Sequence, residues 1–306
     1  MQQNGRKDFF SNLTSQISYL MSGIKKVAVT KINDAEGAET FDALAIEEPL
    51  EIRLVYTVNG EPTTRNVSVT MRTPGNDAEL AAGFLFTEGI VKNADQIVEV
   101  DYCFIACAEN KENVIQVKLR DGAVPDLKNT ERNFYTTSSC GVCGKGSIGA
   151  IRTVGNFVQE DNDIAVDSNL FHQLPAILRA RQAVFEETGG LHASALFNLD
   201  GELLLLSEDV GRHNALDKLV GAALKHGLLP LNNHILLLSG RASFELVQKA
   251  VMAGIRIVAA VGAPSSLAVE LAAEFDITLT GFLRNRRFNI YTAARRILTP
   301  IHENSN

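Results

Sequence analysis

The sequence is short of three things that would point to whole classes of protein. It has only four cysteines in 306 residues. Together with the absence of a secretory start, this rules out the disulfide framework of a small exported domain and leaves reduced thiols or metal ligands as their roles. It has no long apolar run: the longest stretches, such as Leu203 to Leu206 and Ile257 to Val261, fall far short of the roughly 20 residues that cross a bilayer. It also lacks an excess of positive charge. A net charge of -7 argues against a surface that attracts nucleic acid overall, although a local basic patch can still hold phosphate. No internal repeat and no low-complexity segment stands out. These absences describe a cytoplasmic protein with no membrane insertion and no nucleic-acid partner.

With 45% hydrophobic residues the chain is long enough for a sizeable core in one large or two smaller domains. Residues 1–24, rich in Gln, Asn and Ser, read as a mobile tail. Residues 25–130 read as a β-rich domain. Leu50, Ile52, Leu54, Tyr56 and Val58 alternate with polar residues, and Asn59-Gly60 then turns the chain into Val67, Val69 and Met71, a hairpin with one buried face. A helix capped by Asn76 or Asp77 and ended by Gly89 follows, then strands at 97–100 and 114–119. Residues 121–147 show no period and form a long connecting loop, with the cysteine-bearing part at 131–150.

Residues 151–306 read as an α/β domain. A helix is expected over 171–187, strands at 192–199 and 203–207 about Asp200-Gly201, and a helical stripe from Ala215 to Leu224. Strands at 234–238, 255–261 and 277–280 then alternate with helices capped by Ser243 and Ser265-Ser266. Such alternation implies a partly parallel sheet covered by helices.

Several motifs carry chemistry. Cys140-Gly141-Val142-Cys143-Gly144 spaces two sulfurs so that they can meet each other or one metal. Its glycines leave the thiols unshielded, and Lys145 favours the thiolate. Sulfur relay is one reading, and a zinc site completed by Cys103 and Cys107 is the other. Against zinc, residues 101–107 look like a buried strand, in which cysteine is a small hydrophobe. His192 follows two glycines at a strand edge, as a base, a ligand contact or a core histidine. Ser194 stands where a zinc deaminase needs its glutamate, and the CxxC lies upstream rather than downstream, so deamination is not supported.

Glu208 to Asn214 joins a strand to a helix, the usual place for a ligand in an α/β sheet. A self-contained turn with Asn214 as cap and Asp209 paired to Arg212 fits equally. Ser239-Gly240-Arg241 and Gly262 to Ser266 lie between strands and helices, where amides favour an anion. Arg284, Arg286 and Arg287 beside Phe282 suit phosphates with a stacked base. Together these loops argue for a nucleotide-bearing ligand.

Five blocks in order resemble the formate dehydrogenase accessory sulfurtransferase family, FdhD: Glu79 to Leu85 with Glu88-Gly89-Ile90, Ser139 to Gly144, Thr188 to His192, Glu208 to Lys218, and Ser239-Gly240-Arg241. The resemblance runs from about Pro49 to Thr292. It implies a cytidine-deaminase-like α/β domain in a homodimer. Such a protein accepts persulfide sulfur from a cysteine desulfurase and passes it to molybdenum in bis-molybdopterin guanine dinucleotide, for formate dehydrogenase. By the same resemblance Cys140 is the persulfide carrier and Cys143 the accessory thiol. The expected cofactor-binding residues are Phe282, Leu283, Arg284, Asn285, Arg286 and Arg287, joined by Gly240, Arg241 and His192, with guanine nucleotides as mimics and no metal ligated by the protein. The competing function is a non-catalytic, zinc-stabilised chaperone for the same cofactor.

Overall fold

The computed structural model describes residues 23–34, 36–103, 111–127 and 164–299. The cysteine-bearing stretch, with Cys107, Cys140 and Cys143, lies outside the described residues, as does the tail over residues 1–22.

The β-rich part begins with an antiparallel ribbon of β1 (Ile24–Asn33) and β2 (Glu36–Ala45), which leaves Ile32 and Phe41 exposed at 63% and 74%. A four-stranded sheet follows in the order β4-β3-β6-β5, built from β3 (Glu48–Val58), β4 (Glu61–Arg72), β5 (Ile97–Tyr102) and β6 (Val114–Leu119). Asn59 and Gly60 both take positive φ, as the tight hairpin turn between β3 and β4 requires. Leu50, Ile52 and Leu54 are buried as the alternation predicts.

The second strand departs from the expected pattern. Val67 is buried, but Val69 and Met71 are exposed. The pairing register slips by one residue between Ile52 and Arg53, so Val67 sits in a bulge and every later side chain of β4 changes face. The inward position at the end of the strand goes instead to Arg72. It is 1% exposed and bonds Asp77 at 2.9 Å. Tyr102 donates to the same carboxylate at 2.9 Å; burial, with that acid beside it, pushes the phenol well above its usual value. β5 ends at Tyr102, and Cys103 behind it is a free, buried thiol.

Helix α1 (Asp77–Thr87) lays Leu80, Ala81 and Leu85 on this sheet. Its expected cap, Asn76, is in place but adopts a left-handed backbone and makes no side-chain cap bond. Gly89 ends the helix with φ 74°, and Ile90 N donates back to Leu85 O, closing the last turn.

The α/β part begins with the two-residue strand β7 (Val166–Asp167) and centres on a six-stranded sheet in the order β13-β12-β11-β10-β8-β9. Its strands are β8 (His192–Asn198), β9 (Leu203–Asp209), β10 (His234–Leu238), β11 (Ile257–Ala260), β12 (Thr278–Arg284) and β13 (Arg287–Ile290). β10, β11 and β12 run parallel, while β8, β9 and β13 pair antiparallel.

The helix expected over 171–187 is broken into α2 (Ser168–Phe171), α3 (Leu174–Arg179) and α4 (Ala183–Thr188). Pro175 has no N–H to continue a helix from α2, so it opens the next one. At the second break the Glu208 carboxylate accepts from Phe185 N at 3.2 Å and caps α4. Phe171, Leu174 and Leu178 cover one face of the sheet with Phe197, Ile235 and Leu237. The other face carries α5 (Arg212–Lys225), α6 (Phe244–Met252) and α7 (Ser266–Glu274).

One cluster of buried side chains runs from the four-stranded sheet through these helices to the six-stranded sheet. At its centre α1 crosses α5 glycine on glycine. A Cβ at Gly83 would lie 1.9 Å from Asp217 O, and one at Gly221 would lie 1.9 Å from Glu79 O. Both obstacles are backbone, so no side chain can swing away. Gly221→Ala is expected to destabilise the protein by about 1–3 kcal/mol or more through forced separation of the helices. A thermal melt checks this, and a melt equal to wild type would show that the crossing tolerates the extra carbon.

Candidate functional site at the carboxyl edge of the six-stranded sheet

The loops that follow β10 and β11 leave the carboxyl edge of the parallel strands. Because β8 runs the other way, its first residue, His192, arrives at the same edge, opposite Asp209 at the end of β9. A row of backbone bonds ties the segments together. Ser239 N donates to Ala193 O at 3.0 Å, Gly262 N to Gly240 O at 2.9 Å, and Phe282 N to Gly262 O at 3.0 Å. Ser239 Oγ accepts from Ala193 N at 2.8 Å.

Glycine is needed within this row. A Cβ on Gly240 would stand 3.3 Å from His192 Nδ1, and one on Gly262 would stand 2.9 Å from Gly240 O. The structure thus brings His192, Gly240, Arg241 and Phe282 to one edge, although they are up to 90 residues apart in sequence.

The arginine-rich stretch is not a strand-to-helix loop like its neighbours. It is the tip of the β12–β13 hairpin, with Arg284 paired to Arg287 and both Asn285 and Arg286 at positive φ, the geometry of a two-residue hairpin turn. Arg284, Asn285, Arg286 and Arg287 are exposed. Among the described residues none of these arginines has an ion-pair partner, and Arg284 and Arg287 face each other as like charges, which is unfavourable unless an anion joins them.

Leu283, expected with the ligand-facing residues, is 1% exposed and belongs to the core on the α2–α3 face. It anchors the hairpin instead. Phe282 has φ 55°, a genuine outlier for a bulky residue, at a register shift between Gly281 and Arg284. Its ring centroid lies 6.0 Å from the Arg284 guanidinium carbon.

The segment from Glu208 to Lys218 divides between two tasks. Part of it points inward and holds β4. Asp209 pairs with Lys218 at 2.7 Å and accepts from Thr73 N at 3.1 Å, while Lys218 donates to Thr73 O at 2.7 Å. Asn214 donates to Met71 O at 2.7 Å and to Asp209 at 3.2 Å. The helix cap is Gly211, so Asn214 does not cap and Asp209 does not pair with Arg212. Burial pushes the Asp209 carboxyl up even with Lys218 beside it.

His213, in the other part, reaches the start of α6 at the edge. His213 Nε2 lies 3.4 Å from Ser243 Oγ and 3.8 Å from Glu245 Oε2. The imidazole beside Glu245 holds that carboxyl down at about 2. Burial, and then the charges of Arg212 and His213, push His192 below its usual value, so it is a neutral imidazole near pH 7.

This edge can hold an anion. Gly240 and Gly262 admit close backbone approach, and the hairpin tip offers three guanidiniums. These features fit a phosphorylated ligand. Among the described residues the edge carries no cysteine. Arg212 and His213 were legible in the sequence only as members of a turn. The partnership of His213 with Ser243 and Glu245 links residues 30 and more apart and left no local signal.

Comparison with known proteins agrees with the sequence resemblance. Residues 45–298 match the model described as the FdhD/NarQ family. A sulfur carrier protein FdhD from Streptomyces avermitilis is 53% identical over 273 residues, covering 88% of this chain and 94% of that protein. Proteins of the same description are 50% identical in Mycobacterium tuberculosis, over 84% of this chain and 92% of theirs, and 40% identical in Sulfolobus acidocaldarius, over 90% and 98%. A solved structure described as a formate dehydrogenase accessory protein from Desulfotalea psychrophila superposes with TM-score 0.68 at 25% identity, covering 90% of this chain and 99% of that one.

Proposed function

We propose, since the chain belongs to the FdhD/NarQ family, that it is a sulfur carrier for formate dehydrogenase that takes persulfide sulfur onto Cys140. The observation that carries this reading is the near full-length similarity to sulfur carrier proteins, in a chain whose Cys140-Gly141-Val142-Cys143 supplies the thiol a carrier needs.

The donor in this reading is a cysteine desulfurase. The Cys140 thiolate attacks the outer sulfur of the donor persulfide, a new sulfur–sulfur bond forms on Cys140, and the donor cysteine leaves as a thiolate. No oxidant or reductant enters this step. The acceptor is the molybdenum of bis-molybdopterin guanine dinucleotide, bound as substrate. His192, Gly240, Arg241, Phe282 and the Arg284–Arg287 tip hold its phosphates and a guanine base at the carboxyl edge.

The mixed sheet, with three parallel central strands and an antiparallel β8–β9 pair, supports the cytidine-deaminase-like reading of this part. A persulfide carrier works where thiols stay reduced, which supports the cytoplasm as its place. Homodimerisation stays part of the proposal on the strength of the resemblance. No described helix is long and apolar enough to cross a membrane.

The test is to incubate the full chain with a cysteine desulfurase and cysteine, then map added sulfur by mass spectrometry and measure bound metal. One extra sulfur on Cys140, absent in Cys140→Ala and without stoichiometric zinc, is the expected result. One tightly bound zinc per chain, with unfolding on its removal, would favour the zinc-stabilised chaperone instead.

A further inference from the structure

The ribbon of β1 and β2 ends in a part that no described residue of its own chain covers. Its base is held: Ile46 N donates to Gly23 O at 2.8 Å, and Gly190 stands against Ala45. Beyond the base the two strands pair only with each other, and every described residue from Thr30 to Asp42 is exposed. A two-stranded ribbon is marginally stable at best in water, since a third strand or a packed face is what supports one. Phe41 and Ile32 stand on this uncovered part, where burial of such large apolar side chains would be favourable.

The pairing register puts both on one face. Phe41 is opposite Ala28, Ile32 is opposite Gly37, and Ile24 is opposite Ala45 at the base; directly opposed residues of an antiparallel pair share a face. Each of these pairs sets a large side chain against a small one. Lys25, Lys31, Glu36 and Asp42 alternate onto the other face, so the Phe41 face keeps one cation, Lys26, and one anion, Glu39.

A face of this kind is complementary to itself. Turned over by a two-fold axis, it lays Phe41 on a small residue of the second ribbon and receives that ribbon's Phe41 in return, which is the isologous contact of a symmetric dimer. With one lysine and one glutamate per copy, two such faces do not repel each other, and a strongly acidic or strongly basic partner finds no matching charge there.

We propose that the Phe41 face of the ribbon is the surface on which a second copy of this chain docks, ribbon on ribbon. The inference rests on the homodimer included in the reading above and names the surface that forms it. Strands of 10 residues, two abreast, bury on the order of 600 Å² over both copies, below the roughly 1,200 Å² at which stable complexes begin. Dilution should therefore dissociate the dimer.

The experiment is sedimentation velocity of the full chain over a range of concentrations, for wild type, Phe41→Glu, Ile32→Ser and Val124→Glu, with circular dichroism of each as a check on folding. Val124 is 81% exposed and lies off the ribbon, so it controls for the loss of any exposed apolar group. Phe41→Glu is expected to raise the dimer Kd ten-fold or more, because a carboxylate enters an apolar contact. Ile32→Ser should weaken the dimer in the same direction, Val124→Glu should leave it unchanged, and all should keep the wild-type spectrum. Unchanged Kd in both ribbon variants overturns the inference and leaves a homodimer formed elsewhere. Equal weakening by Val124→Glu also overturns it, since the effect is then not the ribbon's. Wild type that stays monomeric throughout overturns the homodimer itself and the inference with it.

Discussion

Cells whose only copy of this chain carries Cys140→Ala are expected to make formate dehydrogenase that is fully assembled, contains its cofactor, and has no activity above that of cells lacking the chain. The size of the effect follows from the chemistry. A carrier that forms a covalent persulfide has no slower route once its sulfur atom is gone, whereas loss of a positioning residue only slows transfer. Alanine keeps the small side chain but removes the thiolate that must attack the donor.

Cys103 cannot substitute. It is 5% exposed behind β5, and a thiol without access to a partner protein exchanges no sulfur. Cys143→Ala should keep part of the activity, since in the proposed reading the second thiol assists or resolves the bond without carrying the sulfur. The measurement is formate oxidation in extracts, normalised to enzyme and to molybdenum. Wild-type activity in the Cys140→Ala cells would sink the carrier assignment.

Lys249→Met is the change expected to cost the most stability. Three helices meet around this ammonium. Lys249 lies 3.0 Å from Asp217 on α5 and 3.0 Å from Glu88 just after α1, and it donates to Thr87 Oγ1 at 2.9 Å. Thr87 in turn donates to Asp217 at 2.7 Å. The Lys249 and Asp217 side chains are 7% and 2% exposed. Methionine fills much of the volume but strands a buried carboxylate beside Glu88. Removing one partner of a buried pair typically costs about 3–5 kcal/mol, or a fall in melting temperature of roughly 6–20 °C for a chain of this size.

The pH dependence has a definite sign. Burial already raises the Asp217 carboxyl above its ordinary 3.8, against the pull of Lys249; without Lys249 it rises further. A group raised on folding keeps its stability below its unfolded value and loses it as pH climbs through the folded one. The deficit of Lys249→Met should therefore shrink on going from pH 8 toward pH 5, and Asp217→Leu/Lys249→Met should recover most of the loss. Melts across this range check both. A deficit that grows on acidification would mean that Asp217 is not the group left unpaired.

The sequence alone was enough for the strands and helices whose pattern is local. Alternation placed Leu50, Ile52 and Leu54 inward, Asn59-Gly60 and Asp200-Gly201 turned their hairpins, and Gly89 stopped α1, because each of these depends on residues within one or two turns of each other. The loops after β10 and β11 were legible for the same reason: small residues mark the passage from a strand to a helix.

Other features were decided only by tertiary packing. The bulge at Val67 reverses a face that alternation alone cannot reverse, since one added residue shifts a two-residue period. Leu283 reads like its arginine neighbours yet goes to the core, because the strained backbone at Phe282 changes which side of β12 it meets. The charged residues from Glu208 to Lys218 look alike in a line. They part because the end of β9 and helix α5 present Asp209, Asn214, Asp217 and Lys218 to β4, α1 and α6, and bring His213 to Ser243 and Glu245 at the sheet edge. Which of these charges is buried depends on neighbours up to 145 residues away, and sequence spacing carries no record of that distance.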